Sequence, residues 1–172
     1  SKLGWLEQTG FNFGTKSYDW QKIQEEKQKV VNAQRKGLQF LMKKNKIDLI
    51  AGFGKIISPQ EVTVENASGE KAFLKTKHIL LATGSTVKNL PFALPNGKTI
   101  HSSDTILSID RVPKSMAVIG GGVVGMEFAS IFSQFGTAVT VIELLPQILP
   151  TEDAECVQEL TRYLKKAKVE IK

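Results

Sequence analysis

Polar and apolar positions change their period twice before residue 113. Trp20, Ile23, the stem of Lys27, Val30, Val31, Gln34, Leu38 and Leu41 recur at three- and four-residue steps, the period of an amphipathic helix. The spacing predicts a helix over about 20–44, started by Asp19, with one face buried and the other charged. From Asp48 the period shortens. Asp48–Ile57, Glu61–Glu65 and Ala72–Lys75, the last two joined by Asn66-Ala-Ser-Gly69, predict a small meander of antiparallel strands. His78-Ile-Leu-Leu-Ala82 is an apolar run too short for a helix, and it predicts a strand buried on both faces. A loop with Pro91, Pro95 and Gly97 leads to a short helical turn that Ser103 or Asp104 is placed to cap.

Beyond Pro113 strands and helices alternate. Met116–Ile119 reads as a strand running into Gly120-Gly-Gly-Val-Val-Gly125, and Met126–Phe135 as an apolar-faced helix stopped by Gly136. Ala138–Ile142 is a second strand, ending on Glu143. A linker with Pro146 and Pro150 precedes a helix over about 152–166. Glu152, Asp153 and Glu155 fall in its first turn and Lys165 and Lys166 in its last, as the helix dipole favours. Val169–Lys172 begins a third strand. The alternation implies an α/β fold with a parallel sheet, one whose last strand leaves an edge and an apolar face to be covered.

Composition narrows the function classes. The chain has 172 residues, 41% of them apolar, and a net charge of +6, which fits globular rather than disordered or fibrous protein. There are 17 basic against 10 acidic residues before Pro113 and 6 against 7 from it onward. The surplus gathers between Lys22 and Lys46, where eight basic residues face only Glu25 and Glu26. That stretch reads as a solvated helix face. It lacks the aromatic interleaving of an RNA-binding module, so nucleic acid is not the expected partner. Cys156 is the one cysteine, which excludes an internal disulfide framework, a Cys-rich zinc site and an internal redox dithiol. No apolar run approaches the ~20 residues of a membrane helix. The start, Ser1-Lys2-Leu3-Gly4-Trp5, has neither the pattern of a signal peptide nor an initiator Met, and a processed or incomplete chain is expected.

The chemistry lies in Gly120, Gly122 and Gly125. A G-x-G-x-x-G pattern gains its weight from context, and here it follows a strand, opens a helix and precedes by 18 residues the acidic Glu143 that closes the next strand. The first glycine permits the tight turn, the second lets backbone approach a pyrophosphate, and the third lets helix and strand pack closely. Helix-start amides then face the phosphates. Glu143 is placed to accept from adenosine ribose hydroxyls and to repel the extra phosphate of NADP. Leu144, Leu145 and Pro146 supply no Arg to hold that phosphate, so NAD is expected over NADP. Glu127 lies two residues past Gly125, in the first turn of the helix, where the dipole favours a carboxylate with or without a function. His78 and His101 stand alone, with no metal-ligand spacing.

Leu80-Leu-Ala-Thr-Gly-Ser85, a linker, and Met116-Ala-Val-Ile-Gly-Gly-Gly-Val-Val-Gly-Met-Glu127 together resemble the pyridine nucleotide-disulfide oxidoreductases, FAD enzymes with a nested NAD domain. Within that family the runs Gly37–Ile47, Gly52-Phe-Gly54 and Glu143-Leu-Leu-Pro-Gln-Ile-Leu-Pro150 resemble the dihydrolipoamide dehydrogenases, over nearly the whole chain. The resemblance implies FAD contacts at Gly54, Ala82, Thr83, Gly84 and Ser85. It implies NAD contacts at Gly120, Gly121, Gly122, Val123, Val124, Gly125, Glu127 and Glu143. Glu127 matches a carboxylate near the nicotinamide and flavin rings and is the one catalytic candidate. Val123 stands where some relatives carry a gating Tyr, a small side chain being compatible with dihydrolipoamide dehydrogenases.

By the same resemblance, residues 1–112 are part of an FAD-binding domain with the long helix, the meander and the buried strand. Residues 113–172 are then the first half, βαβα, of a Rossmann-type NAD-binding domain. The family pattern also includes an N-terminal G-x-G-x-x-G for FAD, a C-x-x-x-x-C redox pair, an A-x-G-D-type flavin contact and a C-terminal interface domain with a His and Glu base pair. None of these lies in the 172 residues, so an internal fragment is expected, inactive alone. The implied parent oxidises dihydrolipoamide or a lipoyl-bearing protein through a disulfide and FAD to NAD, as a homodimer in the cytoplasm or mitochondrial matrix, without nucleic acid or membrane. The rivals are a mercuric or NAD-linked disulfide reductase of the same family, and a non-catalytic nucleotide-binding module that docks an acidic partner on the basic helix.

Overall fold

The computed structural model describes residues 17–172, which fall into two compact units, one of residues 17–23 with Asn89–Lys172 and the other Gln24–Lys88. Helix α1, Trp20–Lys44, starts where expected: Asp19 Oδ1 accepts from the Lys22 amide at 3.2 Å, the usual N-terminal cap. Its apolar stripe, however, is not buried. Val30, Leu38, Phe40 and Leu41 are each at least half exposed, and no residue of the helix is buried. Periodicity identifies the face that a partner surface would cover, and from Val30 onward no described element buries it here.

In the Gln24–Lys88 unit, β1 (Phe53–Ser58), β2 (Glu61–Glu65) and β3 (Lys71–Lys75) form the expected antiparallel meander, in that order across the sheet. The β2–β3 turn is built on Asn66, whose Oδ1 accepts from the amides of Ser68 and Glu70, both at 3.0 Å. Gly69 takes the positive φ of +84° that the turn requires. Strand β1 begins at Phe53 rather than Asp48, because Phe53 pairs with Glu65, the last residue of β2, and the residues before it have no partner in the sheet; Gly52 passes so near that a Cβ on it would lie 2.5 Å from the Glu65 carbonyl oxygen. Val64 is buried in this sheet.

The predicted buried strand His78–Ala82 is not formed. These residues are irregular, and Leu80 and Leu81 are 90% and 69% exposed. A strand is made by its neighbour's hydrogen bonds, and no described residue pairs with this run. The predicted helical turn is a 3-10 turn at Thr105–Ser108. Neither Ser103 nor Asp104 caps it; the Thr105 amide donates to Ser102 Oγ at 3.3 Å.

The other unit is α/β. Strands β4 (Ser115–Ile119), β5 (Ala138–Ile142) and β6 (Glu170–Ile171) are parallel and adjacent in that order. They are linked by α2 (Val123–Gln134) and α3 (Ala154–Lys166). Met126, Ala129 and Phe132 recur every three residues on α2 and bury with Val139 and Val141 of β5 and with Val157 and Leu164 of α3. Trp20 joins this cluster, donating from Nε1 to the Ile109 carbonyl at 2.9 Å and packing edge-on against Phe135. Asp153 caps α3, accepting from Glu155 and Cys156 amides; Glu152 therefore precedes the helix instead of lying in its first turn.

Helix α2 begins at Val123, three residues earlier than the sequence pattern suggests, with Gly122 as its extended cap. First-turn amides make no helical bonds, so a glycine there carries little of its usual helix penalty, and the glycine loop and the helix overlap. Gly125 sits inside this first turn, where a Cβ would lie 2.2 Å from the Gly120 carbonyl oxygen and 3.3 Å from Val118 Cγ1. We predict that Gly125→Ala lowers unfolding stability by about 1–3 kcal/mol, the usual size of an overpacking cost, read as a lower urea midpoint with an unchanged denaturant slope.

Candidate functional site

The carboxyl ends of β4 and β5 set up the site. Gly120, at φ +102°, turns the chain away from β4 while its amide still donates to the Ile142 carbonyl at 2.9 Å. The two peptides that flank Gly121 are each held. Gly121 N donates to Glu143 Oε2 at 2.5 Å, and Gly121 O accepts from the Leu149 amide at 2.9 Å. Gly122 then opens α2. A Cβ on Gly122 would meet nothing within 4 Å, so the space beside it is free for a ligand to approach the backbone.

The first bond of α2 runs from Met126 N to Gly122 O at 3.0 Å. The amides of Val123, Val124 and Gly125 precede it and have no helical acceptor. They are directed out of the positive end of the helix dipole, the arrangement that binds a phosphate oxygen. Val123 and Val124 are about half exposed, so this end of the helix is reachable from solvent.

Glu143 follows the last residue of β5, and its own amide donates to the Lys172 carbonyl at 2.9 Å. Its two carboxylate oxygens take different partners: Oε1 accepts from Leu145 N at 2.9 Å and Oε2 from Gly121 N. These amides, Leu145 first, hold the carboxyl below the ordinary glutamate value of 4.5, against a smaller opposing effect of desolvation. An ionised carboxylate offers about four acceptor positions. Two are in use, and two are left for a pair of hydroxyls.

Gly120, Gly121, Gly122, Val123, Val124, Gly125 and Glu143 thus come together at one loop. Glu127 lies in the second turn of α2 rather than the first, exposed and clear of Glu143's hydrogen bonds. The residues matched to FAD lie in the other unit. Gly54 is in β1 opposite Val64, with open space where a side chain would be, and Ala82, Thr83, Gly84 and Ser85 form an exposed irregular run in which Gly84 has φ +72°. The open space at Gly54 and Gly84 and the exposure of the short run around Gly84 fit the approach of a dinucleotide. Cys156 is exposed on α3, and among the described residues no cluster of His, Cys, Asp and Glu could hold a metal.

Two residues absent from the sequence-derived set belong to the loop. Ile148 is buried against Gly121, its Cγ2 standing 2.8 Å from where a Gly121 Cβ would be. Leu149 adopts φ +50° to bring its amide to the Gly121 carbonyl. Their signal was an apolar pair between Pro146 and Pro150 in a stretch that otherwise reads as linker.

The profile of the pyridine nucleotide-disulphide oxidoreductase family matches residues 6–172. A mitochondrial dihydrolipoyl dehydrogenase of Pisum sativum is 40% identical over 147 residues, covering 86% of this chain and 29% of the relative. A dihydrolipoyl dehydrogenase of Bacillus subtilis is 39% identical over 168 residues, covering 93% of this chain and 35% of the relative. The chain thus spans about a third of the length of the curated relatives it matches. The crystal structure of LpdA from Mycobacterium tuberculosis has the same fold, with a TM-score of 0.89 at 24% identity over 99% of this chain and 38% of that one.

The lowered Glu143 pKa has a definite pH signature. Folding depresses the pKa, so the stability that Glu143 contributes is fully present above the ordinary value of 4.5 and is lost as pH falls through the lower folded value. Urea midpoints measured from pH 7 down to 2 are expected to show wild type losing its advantage over Glu143→Gln across that acid window. A constant difference between the two proteins would count against the contact.

Proposed function

Because the chain belongs to the pyridine nucleotide-disulphide oxidoreductase family, we propose that it carries the nucleotide-gripping part of a dihydrolipoamide dehydrogenase. The family's cofactors are FAD and NAD. In this reading residues 1–112 contribute to the flavin domain and residues 113–172 are the first half of the NAD domain. The observation that carries it is the loop at the end of β4, where free helix-start amides and a carboxylate with spare acceptor capacity lie side by side.

Each group has a task. The amides of Val123, Val124 and Gly125 bind the pyrophosphate, and Gly122 lets it reach them because no side chain intervenes. Glu143 accepts from the two ribose hydroxyls while staying ionised, and the same charge repels a 2′-phosphate. Gly54 and Ala82–Ser85 offer backbone to FAD. When bound, FAD and NAD supply the two-electron carrier and the hydride acceptor. By the family resemblance, the small side chain of Val123 would leave room for the nicotinamide, and Glu127 would be the carboxylate near the two rings.

The full activity is oxidation of dihydrolipoamide, free or on a lipoyl-bearing protein, by way of a disulfide and FAD to NAD. It would be carried out by a homodimer in the cytoplasm or mitochondrial matrix, without nucleic acid or membrane. That relay needs two thiols in one redox centre, and Cys156 is the one cysteine of this sequence. The purified 172-residue chain is therefore expected to give no NAD-dependent turnover of dihydrolipoamide in a spectrophotometric assay; turnover above a buffer blank would sink that expectation.

Binding is the direct test of the nucleotide site. Titration calorimetry is expected to show NAD binding more tightly than NADP, with Glu143→Ala weakening NAD by about ten- to a hundredfold, the usual effect of losing charge-assisted hydrogen bonds. Equal affinity for NAD and NADP, or an unaffected Glu143→Ala, would overturn the assignment. Salt-sensitive binding to an acidic protein without NAD binding would instead support a docking role for the basic helix.

A further inference from the structure

The segment between Glu143 and the cap of α3 folds back onto the glycine loop. Resting on the nucleotide-site reading above, we propose that Ile148 and Leu149 are positioning residues for the dinucleotide pyrophosphate, acting through the Gly121 peptide without touching the ligand themselves.

Three contacts fix the orientation of the peptide units around Gly121. Glu143 Oε2 takes its N–H, the Leu149 amide takes its C=O at 2.9 Å, and Ile148 Cγ2 packs on the Cα where a side chain would otherwise point. The N–H belongs to the 120–121 peptide and the C=O to the 121–122 peptide, so each of the two peptides flanking Gly121 is held by a bond that its rotation would break. Gly121 directly precedes Gly122, so the second of these peptides sets the path by which the chain enters α2 and hence the aim of the amides after it. Glycine is otherwise the residue freest to wander. Three successive glycines would leave the loop floppy unless something outside it supplied the constraint.

The conformation of Leu149 supports this role. A leucine at φ +50° is strained, and what the strain accompanies is an amide brought to the Gly121 carbonyl. Ile148 is 2% exposed and is a member of the α2–β5–α3 core, so the strap is anchored to the same cluster that holds α2. Helix and loop are thereby referred to one rigid body, and the ligand meets amides already aimed. Such preorganisation lowers the ordering cost of binding.

The role separates from a merely structural one by ligand. The pyrophosphate meets the amides, whereas adenosine alone meets Glu143. The test compares ADP, by titration calorimetry, with adenosine, by saturation-transfer NMR, on the full chain. Leu149→Asn keeps the amide and tolerates positive φ, while Leu149→Pro removes the amide and forbids the conformation; both lose the leucine packing. Leu149→Asn is expected to bind ADP close to wild type and Leu149→Pro about tenfold more weakly, with adenosine binding equal in the two. Ile148→Ala is expected to lose ADP affinity and Ile148→Val to restore it, since valine keeps the γ-methyl that packs on Gly121. Folding is followed by near-UV circular dichroism, and the Leu149 pair decides the matter if Ile148→Ala does not fold. If wild type binds ADP but Leu149→Pro binds it as well as Leu149→Asn does, or if Leu149→Pro loses ADP and adenosine by the same factor, the positioning role is wrong while the nucleotide site stands. If wild type binds neither NAD nor ADP, the nucleotide-site reading falls and this inference with it.

Discussion

The Gly120 carbonyl oxygen lies so near Gly125 that only a hydrogen atom fits between the turn and the helix, since a Cβ would come within 2.2 Å. This contact lets α2 start at Val123 while the chain is still leaving β4. Had the helix been forced away, its first amides would not follow directly on the turn, and Met126, Ala129 and Phe132 would not reach Val139 and Val141 in the shared core. Core packing and the open helix end are therefore two results of one steric allowance.

Electrostatics completes what sterics permits. The ends of parallel strands and the start of a helix gather unpaired amides, and an anion is the natural complement to them. Glu143 supplies one from within the chain, bonded to Gly121 and Leu145. It takes amides at the β4 turn and after β5, and leaves those of α2 open. The carboxylate thus orders the loop without occupying the open end of α2. The same amides hold its pKa down, so it stays charged into acid below the ordinary glutamate value of 4.5.

Much of the apolar surface has no cover within the described residues. The stripe of α1, the exposed Leu80 and Leu81, and Phe53 and Phe73 of the meander are all well exposed. The sequence pattern predicted burial for the stripe of α1 and for Leu80 and Leu81, which the structure leaves exposed, while the helix and meander formed where periodicity and turn chemistry placed them. What failed were two inferences whose partner surface lies outside the described residues, the buried face of α1 and the strand at His78–Ala82, whereas the meander and the parallel sheet found theirs. Local rules establish an element's preferred face or backbone state, whereas burial and strand pairing are properties of two segments at once.

The same division runs through the site. Glycine spacing, the preceding strand and the acidic residue after the next strand identified Gly120, Gly122, Gly125 and Glu143 in the sequence, because each is constrained by its own backbone geometry or charge. The sequence by itself also determined the α/β class and the type of most elements, since hydrophobic period and turn residues act over a few positions. Only the tertiary structure decided that Glu127 sits one turn farther along α2, that Glu143 spends two of its acceptor positions on backbone amides, and that Ile148 and Leu149 close over Gly121. Gly121 lies 22 places from Glu143 and 28 from Leu149, and the free energy of such contacts depends on an approach in space that no local pattern encodes.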